Sequence, residues 1–214
     1  SQLVSIYFPA WFLGRNPNKK VMMVSHTTDL AVDFGRKVRN LIATDEYSSI
    51  FPTVKLASDS KSAGRWNTNS GGEYYACGIG SSIAGRGADL LLIDDPHSEQ
   101  DVINGNFEVF EKAYEWFTFG ARTRLMPGGR VAIIQTRWHM DDLTGRVVRD
   151  MGQNERSDQY EVVEFPAILD MVDEKTKKST QKPLWPEFFD LEALLRTKAS
   201  MPVYQWNAQY QQQP

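Results

Sequence analysis

The sequence predicts an α/β fold in which a mostly parallel sheet is flanked by helices. Three short runs of consecutive apolar residues support this prediction: Val21 to Val24, Leu90 to Ile93 and Val131 to Ile134. Such runs are typical of parallel strands that are buried on both faces. Segments with helical periodicity separate the runs, and alternating strands and helices favour a parallel sheet.

Two helices are expected around the first strand. The apolar opening over residues 1–13 predicts a buried helix, which the turn-forming segment Gly14 to Pro17 ends. A second helix is expected to run to about Ile42, because apolar residues recur there every three or four positions and form one stripe. The stripe consists of Leu30, Phe34, Val38 and Leu41.

The middle of the chain is expected to contain paired short strands and a further helix. Glycine, serine and asparagine are frequent over residues 58–87, which predicts a hairpin around Gly71-Gly72. The segment Pro127 to Gly129 is predicted to turn the chain into the third apolar strand. Aromatic residues between these two regions predict a helix, marked by Phe107, Phe110, Tyr114 and Phe117.

The last part of the chain is expected to form a small C-terminal lid subdomain. Val162 to Phe165 predicts a fourth strand, and the charged segment Asp170 to Pro183 is expected to be irregular. A short helix capped by Asp190 is predicted to follow, with Leu191, Leu194 and Leu195 on it. These patterns divide the chain into a core over residues 1–168 and a lid with the start of a linker over residues 169–214.

Composition limits the classes of protein to which the chain can belong. Its 214 residues with 41% apolar content suffice for one sizeable core with a small appendage. A net charge of -3 argues against nucleic acid binding over the whole surface, so any DNA contact is expected to be local. The single cysteine, Cys77, excludes a disulfide framework and a cysteine zinc site, which fits a reducing cytoplasm.

The sequence also argues against secretion and against a histidine metal site. The apolar segment Ile6 to Leu13 is short and has no basic region before it, so a secretory signal is not predicted and no membrane partner is expected. His26, His97 and His139 lack metal-ligand spacing, and none of them is expected to bind a metal.

Two acidic residues end the second apolar strand. In an open parallel sheet, ligands bind beyond the carboxyl ends of the strands, so Asp94 and Asp95 are expected to face that crevice. Asp94 would help to hold Mg²⁺, and Asp95 could orient or deprotonate an attacking water. A plain Asp-Asp-Pro turn with both side chains in water is the alternative.

Polar residues also end the third apolar strand. Gln135 and Thr136 at this tip could hydrogen-bond a γ-phosphate or its attacking water and report whether the phosphate is present. The alternative is a capped turn into a helix, with Asp141 or Asp142 near the helix start and Trp138 in the core.

An arginine flanked by glycines precedes the second apolar strand. Arg86 lies between Gly85 and Gly87, and on an exposed loop it could reach the nucleotide of a neighbouring subunit. A guanidinium there would stabilise charge on a transferring phosphoryl group. An ordinary turn with a solvated arginine is the alternative.

These segments, taken in order, resemble phage terminase large subunits. Gly78 to Asp89, leading into Leu91 to His97, is similar to the segment that ends in their Walker B strand. Gln135 to Arg146 looks like their coupling motif and the residues after it. Leu184 to Pro186 and Trp206 to Gln212 are similar to the end of the family's motor domain. The resemblance covers nearly the whole chain, and the ordered set of motifs is specific for the family.

The resemblance implies a P-loop NTPase with an ASCE/RecA-like core. Such a protein hydrolyses ATP with Mg²⁺ and pumps double-stranded DNA into an empty capsid in the host cytoplasm. The implied partners are the portal protein, the small terminase subunit and further copies of the chain in a homo-oligomeric ring.

The resemblance also implies a role for each candidate residue. Asp94 takes the magnesium role, Asp95 activates water, and Arg86 acts in trans. Ser1 looks like the hydroxyl residue that ends the family's phosphate-binding loop. The remaining nucleotide-binding residues, which would couple hydrolysis to movement of the lid, are Gln135, Thr136 and Arg137.

Three features depart from the family pattern. The glycine-rich loop that ends in Gly-Lys would precede Ser1, and without it the chain is expected to bind ATP poorly and to be inactive. Many relatives carry glutamate at the position of Asp95, which makes Glu99 the second candidate base. The nuclease domain would begin after Pro214, so DNA cutting is not expected of this chain.

Two other functions stay open at this point. Asp94, Asp95 and Asp142 could form the carboxylate cluster of a metal-dependent nuclease. The chain could also be a non-enzymatic assembly fragment that keeps a binding surface.

Overall fold

The computed structural model describes residues 1–60, 62–172 and 179–214. Within these ranges the chain forms two compact units, Ser1–Gln135 and Thr136–Pro214. The sequence divides the chain by function at residue 168, into a core and a lid, and that division stays a prediction.

The first unit contains a mostly parallel sheet. β1 (Lys20–Ser25), β3 (Glu73–Gly78), β4 (Ala88–Asp94) and β5 (Leu125–Ile134) run parallel, and β2 (Arg65–Asn67) runs antiparallel to β3. The five strands lie in the order β2-β3-β1-β4-β5. The predicted α/β fold with a mostly parallel sheet and flanking helices is thereby confirmed.

Helices connect these strands. The predicted opening helix exists, but it begins as a π-helical segment, Gln2–Tyr7, before it continues as α1 (Phe8–Arg15). β1 is followed by α2 (Thr28–Ile42) and α3 (Asp45–Ile50). β4 is followed by α4 (Glu99–Ile103) and α5 (Glu108–Glu115), and α5 continues as a π-helical segment, Trp116–Ala121, and a 3-10 turn, Arg122–Arg124.

Burial on both faces explains the continuous apolar strands. Val21 and Met23 of β1, with Leu90 of β4, belong to a core cluster against which the predicted stripe of α2 packs, two of its residues inside the cluster and two at its border. Met22 and Leu91 point to the opposite face, because side chains alternate along a strand, and they are buried as completely. A strand of this kind has no polar face, which is why its sequence does not alternate.

The hairpin predicted around Gly71-Gly72 is confirmed. It joins β2 to β3, and Gly71 has a φ of 84°, which an L-residue with a side chain rarely adopts. A Cβ atom on Gly72 would lie 2.4 Å from the carbonyl oxygen of Pro17. Glycine is therefore required at both positions of this turn, for conformation at the first and for space at the second.

β5 lies at one edge of the sheet and differs from its neighbours. It begins at Leu125, earlier than predicted, and its register against β4 is irregular between the pairs Ala88–Leu125 and Leu90–Arg130. The predicted Pro-Gly-Gly turn is thus an excursion within the strand. The residues from Val131 to Ile134 are only half-buried, whereas the corresponding residues of β1 and β4 are fully buried.

The second unit is smaller and partly helical. It contains α6 (Leu143–Gln153), an antiparallel pair of strands, β6 (Ile168–Val172) and β7 (Ser179–Pro183), and the helices α7 (Leu191–Ala199) and α8 (Val203–Gln209). Its core consists of Ile168, Leu194 and Trp206 with partly buried neighbours. The predicted helix start at Asp190 is confirmed, because its carboxylate accepts a 2.7 Å hydrogen bond from the N–H of Ala193.

Two predictions for this unit were wrong. Val162 to Phe165 is not a strand, and its side chains are exposed, so its apolar run does not mark a buried element. The described parts of Asp170 to Pro183 belong to the β6–β7 pair, although the segment was expected to be irregular. Most residues of this pair are exposed, so its sequence lacks the apolar alternation that indicates a strand. Residues 173–178 of that prediction lie outside the described residues.

No helix within the described ranges combines the length and the apolar character needed to cross a membrane.

The buried thiol of Cys77 provides a test of this fold. The side chain is 2% exposed on β3, and burial raises its pKa to about 11, although the nearby Arg86 opposes the rise. The folded state therefore favours the neutral thiol, and this contribution to stability is lost as the pH rises towards 11. At pH 8 we expect iodoacetamide to modify the folded chain roughly a hundredfold more slowly than an unfolded cysteine.

The matching control is the same chain in guanidinium chloride, where Cys77 should react at the rate of a free cysteine. Mass spectrometry of the intact chain counts a single event, because there is one cysteine. Equal rates with and without denaturant would show that β3 does not bury this residue.

Candidate functional site

The candidate site lies where three neighbouring strands of the first unit end. β1, β4 and β5 are parallel and adjacent, so their carboxyl ends meet at one edge of the sheet. Asp94 is paired with Ile134, and the N–H of Asp95 donates a 2.8 Å hydrogen bond to the Ile134 carbonyl. This edge, which we call the rim, therefore brings Asp94 and Asp95 beside Gln135, as the sequence predicts.

Asp94 is buried and is held by two serine hydroxyls from the first helix. The Ser1 hydroxyl donates to one carboxylate oxygen at 3.2 Å, and the Ser5 hydroxyl donates to the other at 2.5 Å. Asp94 is 1% exposed and Ser5 is fully buried. The alternative of an Asp-Asp-Pro turn with solvated side chains is therefore wrong for Asp94. A buried carboxylate that accepts two hydrogen bonds is a fixed group with a defined orientation.

The backbone of the two aspartates is held by the end of β1. The Ser25 hydroxyl donates to the Asp94 carbonyl at 2.6 Å, and the N–H of His26 donates to the Asp95 carbonyl at 3.0 Å. Nδ1 of His26 lies 3.3 Å from the same carbonyl. Asp95 has a φ of 47°, in the left-handed region that non-glycine residues seldom adopt. The neighbouring strands β1 and β5 thus hold Asp95 in a turn, where its side chain does not follow the alternating pattern of a strand.

Gln135 brings an unsatisfied amide to the rim. Both its oxygen and its nitrogen are buried, and neither has a hydrogen-bond partner among the residues that the structure describes. Buried side-chain polar atoms in folded proteins are nearly always paired, because each unpaired group loses its hydration without compensation. An amide that can donate and accept at once suits a water or a phosphate oxygen.

Thr136 and Arg137 begin the second unit, where Arg137 is bound to a buried carboxylate. Nε of Arg137 lies 2.9 and 3.0 Å from the two carboxylate oxygens of Asp142, which is fully buried. Asp142 also accepts a 2.9 Å hydrogen bond from the N–H of Gly145 and so caps α6. The capped turn that the sequence left open is therefore present, with Asp142 as its cap.

Arg86 lies away from the rim of its own chain. Its guanidinium is 3.1 Å from Glu73, at the amino end of β3, and 4.0 Å from the ring centre of Tyr75. The rim is at the opposite, carboxyl end of this strand. The side chain is 27% exposed, so the alternative of a solvated arginine in a plain turn does not describe it either.

Glu99, the second candidate base, is exposed at the start of α4. The preceding cap residue, Ser98, and Asp101 form a capping box, so the position of Glu99 at the start of this helix is defined locally. Among the described residues the Glu99 side chain has no hydrogen bond or ion pair, and Glu99 belongs to α4, whereas Asp95 directly follows β4 in the rim.

Three residues of the site were missed by sequence reasoning. Ser5 interrupts the apolar face of the first helix four residues after Ser1, and a lone hydroxyl there is a signal that could have been used. Ser25 and His26 directly follow the apolar run of β1, in the same position relative to their strand as Asp94 and Asp95. The rule that ligands bind beyond strand ends applies to them as well.

The rim offers oxygen ligands of the kind that Mg²⁺ prefers. A carboxylate and serine hydroxyls, completed by water and phosphate oxygens, match the usual magnesium environment. No group of three or more His, Cys, Asp and Glu side chains suited to a metal ion occurs in the described ranges. The donor set that fits the ion is therefore one carboxylate, Asp94, with the hydroxyl of Ser1.

The fold and the rim define an α/β protein with polar side chains at the carboxyl edge of its parallel sheet. No protein-family model matches the chain, and no curated protein matches it significantly. The function is therefore inferred from the residues of the chain.

Proposed function

We propose that this chain is the ATP-hydrolysing motor domain of a viral terminase large subunit. Its core would be a P-loop NTPase core of the ASCE/RecA-like type with a C-terminal lid, and it would drive double-stranded DNA into the procapsid. The observation that carries the proposal is the 3.2 Å contact of Ser1 with Asp94 beside Asp95 and Gln135. In phosphate-loop enzymes a hydroxyl at the start of a helix and a carboxylate after a strand hold Mg²⁺ together.

Each residue of the rim has one task in this proposal. Asp94 and Ser1 would hold Mg²⁺, which neutralises charge on the β- and γ-phosphates of bound ATP. Asp95 would orient the attacking water and accept its proton, because it directly follows Asp94 at the end of β4, in a turn with a φ of 47°. Gln135 would hydrogen-bond the γ-phosphate or the water, which would satisfy its buried amide.

Thr136 and Arg137 would couple hydrolysis to the lid. Arg137 is joined to the start of α6 through the buried Asp142, so a displacement of residue 137 would act directly on that helix, which belongs to the same compact unit as the lid residues 169–214. Nucleotide binding by Thr136 and Arg137 and catalysis in trans by Arg86 belong to the same proposal. So do the portal protein, the small terminase subunit, a homo-oligomeric ring and the host cytoplasm as the place of action.

ATP turnover tests this proposal. The residues from Ser1 to Pro214 include no Gly-Lys-Ser or Gly-Lys-Thr, the run that ends the backbone cradle of the β- and γ-phosphates in phosphate-loop enzymes. We expect this chain to bind ATP poorly and to release almost no phosphate. A chain with a glycine-rich loop ending in Gly-Lys directly before Ser1 should hydrolyse ATP in the presence of Mg²⁺.

The matched control is the extended chain with alanine in place of the added lysine, which should be as inactive as the chain without the loop. Phosphate release is measured for all three under the same conditions. Robust turnover by the chain from Ser1 to Pro214 alone would contradict the proposed role of the loop, and inactivity of the extended, folded chain would contradict the motor proposal.

The hydrogen bonds that Asp142 accepts argue against the nuclease alternative. Its two carboxylate oxygens accept hydrogen bonds from Arg137 and Gly145, and also from the N–H of Trp138. A carboxylate used in this way caps a helix and is not available to a metal ion. Incubation of supercoiled DNA with Mn²⁺ or Mg²⁺ decides the question, since nicking would support the nuclease. A folded chain with the added loop that neither releases phosphate nor nicks DNA would favour the non-enzymatic assembly fragment.

A further inference from the structure

Arg86 occupies a specific docked position on its own chain. The loop that carries it is exposed, yet its side chain turns back onto β3, between the carboxylate of Glu73 and the ring face of Tyr75. Gly85 before it has a φ of 74° and Gly87 follows it. No heavy atom of the described residues lies within 4 Å of a Cβ built on Gly85, so glycine is required here for its conformation and not for packing.

One oxygen of Glu73 serves two arginines. Nε of Arg65 lies 2.9 Å from Oε1 of Glu73, and Nη1 of Arg86 lies 3.1 Å from the same atom. The three side chains carry a net charge of about +1, because two guanidinium groups share one carboxylate. Departure of Arg86 would leave Glu73 paired with Arg65, so the carboxylate would not become an unpaired charge.

The docked arginine is also held by an aromatic face. A guanidinium within about 6 Å of a ring centre is attracted by the ring's quadrupole, and here the distance is 4.0 Å. The ion pair and the stacking contact are both partly exposed, with 27% of the Arg86 side chain and 17% of the Glu73 side chain open to solvent. Contacts of this kind are weak enough to exchange for a phosphate group.

We propose that Glu73 and Tyr75 are positioning residues that store Arg86 in a docked state, and that Arg65 keeps Glu73 paired when Arg86 leaves to contact a phosphate on a neighbouring copy. This inference rests on the proposed function for its second half. The docked state itself rests on the contacts of this chain alone. Glu73 thereby sets the fraction of time in which the arginine is available.

Arginine modification by phenylglyoxal measures the docked state in the complete chain from Ser1 to Pro214. We expect Glu73→Gln to raise the rate of Arg86 modification, read by peptide mass spectrometry, by about threefold or more, because an amide attracts a guanidinium less than a carboxylate does. Arg149 and Arg196 serve as internal references, and their rates should not change. Glu73→Asp, which keeps the charge, should restore much of the protection.

Arg65→Gln is the matched control, because it removes the other guanidinium from the same carboxylate. Arg86 modification should then stay the same or become slower. Tyr75→Leu removes the ring and provides a second variant that should also increase the rate. An unchanged Arg86 rate in both Glu73→Gln and Tyr75→Leu would overturn the docked state, and so would an equal increase in Arg65→Gln.

The second half is tested in the chain that carries the added glycine-rich loop. Glu73→Gln should raise kcat for ATP and leave KM unchanged, because Arg86 is then available more often. If Arg86 acts on a neighbouring copy, the size of this effect should depend on protein concentration. Arg86→Ala should remove that effect and most of the turnover. Full ATP turnover in Arg86→Ala would overturn the trans role of Arg86. The docked state measured by labelling and the motor proposal would both still stand, so the two failures can be told apart.

Discussion

Replacement of Asp142 by alanine is expected to destabilise the second unit by about 3–5 kcal/mol. The carboxylate is fully buried, it is bound to Nε of Arg137, and it caps α6 through the N–H of Gly145. Alanine would leave the guanidinium, whose side chain is 17% exposed, without its counter-charge. It would also remove the cap. Hydrogen exchange of the amides of α6 and thermal unfolding of the chain measure the loss.

Asp141→Ala is the matched control for this change. The neighbouring carboxylate is partly exposed, with 39% of the side chain open to solvent, and the hydrogen bond from Arg149 holds its pKa below the usual range. Exposed pairs contribute little, so its loss should shift stability by less than about 1 kcal/mol. If Asp142→Ala were no more destabilising than Asp141→Ala, the buried contact would not hold this unit together.

Replacement of Asp95 by asparagine is expected to lower kcat for ATP by about 10²- to 10⁴-fold in the chain that carries the added loop. Asparagine has nearly the same shape, but it cannot accept a proton from the attacking water. The left-handed backbone at this position, with a φ of 47°, should persist, because asparagine tolerates that region well. The change therefore removes the chemistry and keeps the turn.

Glu99→Gln serves as the comparison, since this residue is the second candidate base. Its side chain is exposed, and we expect its replacement to leave kcat within about threefold of the unmodified chain. Steady-state phosphate release at saturating ATP gives both values. Normal turnover in Asp95→Asn together with a large loss in Glu99→Gln would assign the base role to Glu99.

The rim was predictable because its residues follow from one rule. Buried parallel strands read as unbroken apolar runs, and side chains just after such runs share one edge of the sheet. Asp94, Asp95 and Gln135 were placed together on that basis. The contact of Ser1 with Asp94 followed from the resemblance, since a spacing of 93 residues carries no information about proximity.

Other features could not be read from the pattern. The π-helical start of the first helix has the same apolar residues as an ordinary α-helix, so periodicity does not distinguish them. The β6–β7 pair is mostly exposed, and without a buried face it has no apolar alternation. The position of Arg86 depends on Glu73 and Tyr75, which lie on a different strand. The partners of a loop side chain depend on which residues lie near it in the folded chain, and the local sequence does not indicate them.

The edge position of β5 limits where this sheet can grow. The Ile134 carbonyl accepts a hydrogen bond from the N–H of Asp95 and therefore points towards β4. Consecutive residues of a strand direct their backbone groups to opposite sides, so the N–H and C=O of Val131 and Ile133 point away from β4. Pro127 and the excursion around Gly128 block the first half of the strand, because proline has no N–H and the register breaks there. An added strand, from this polypeptide or another, would therefore dock only on the last four residues of β5. It would then bring its own end directly beside Gln135.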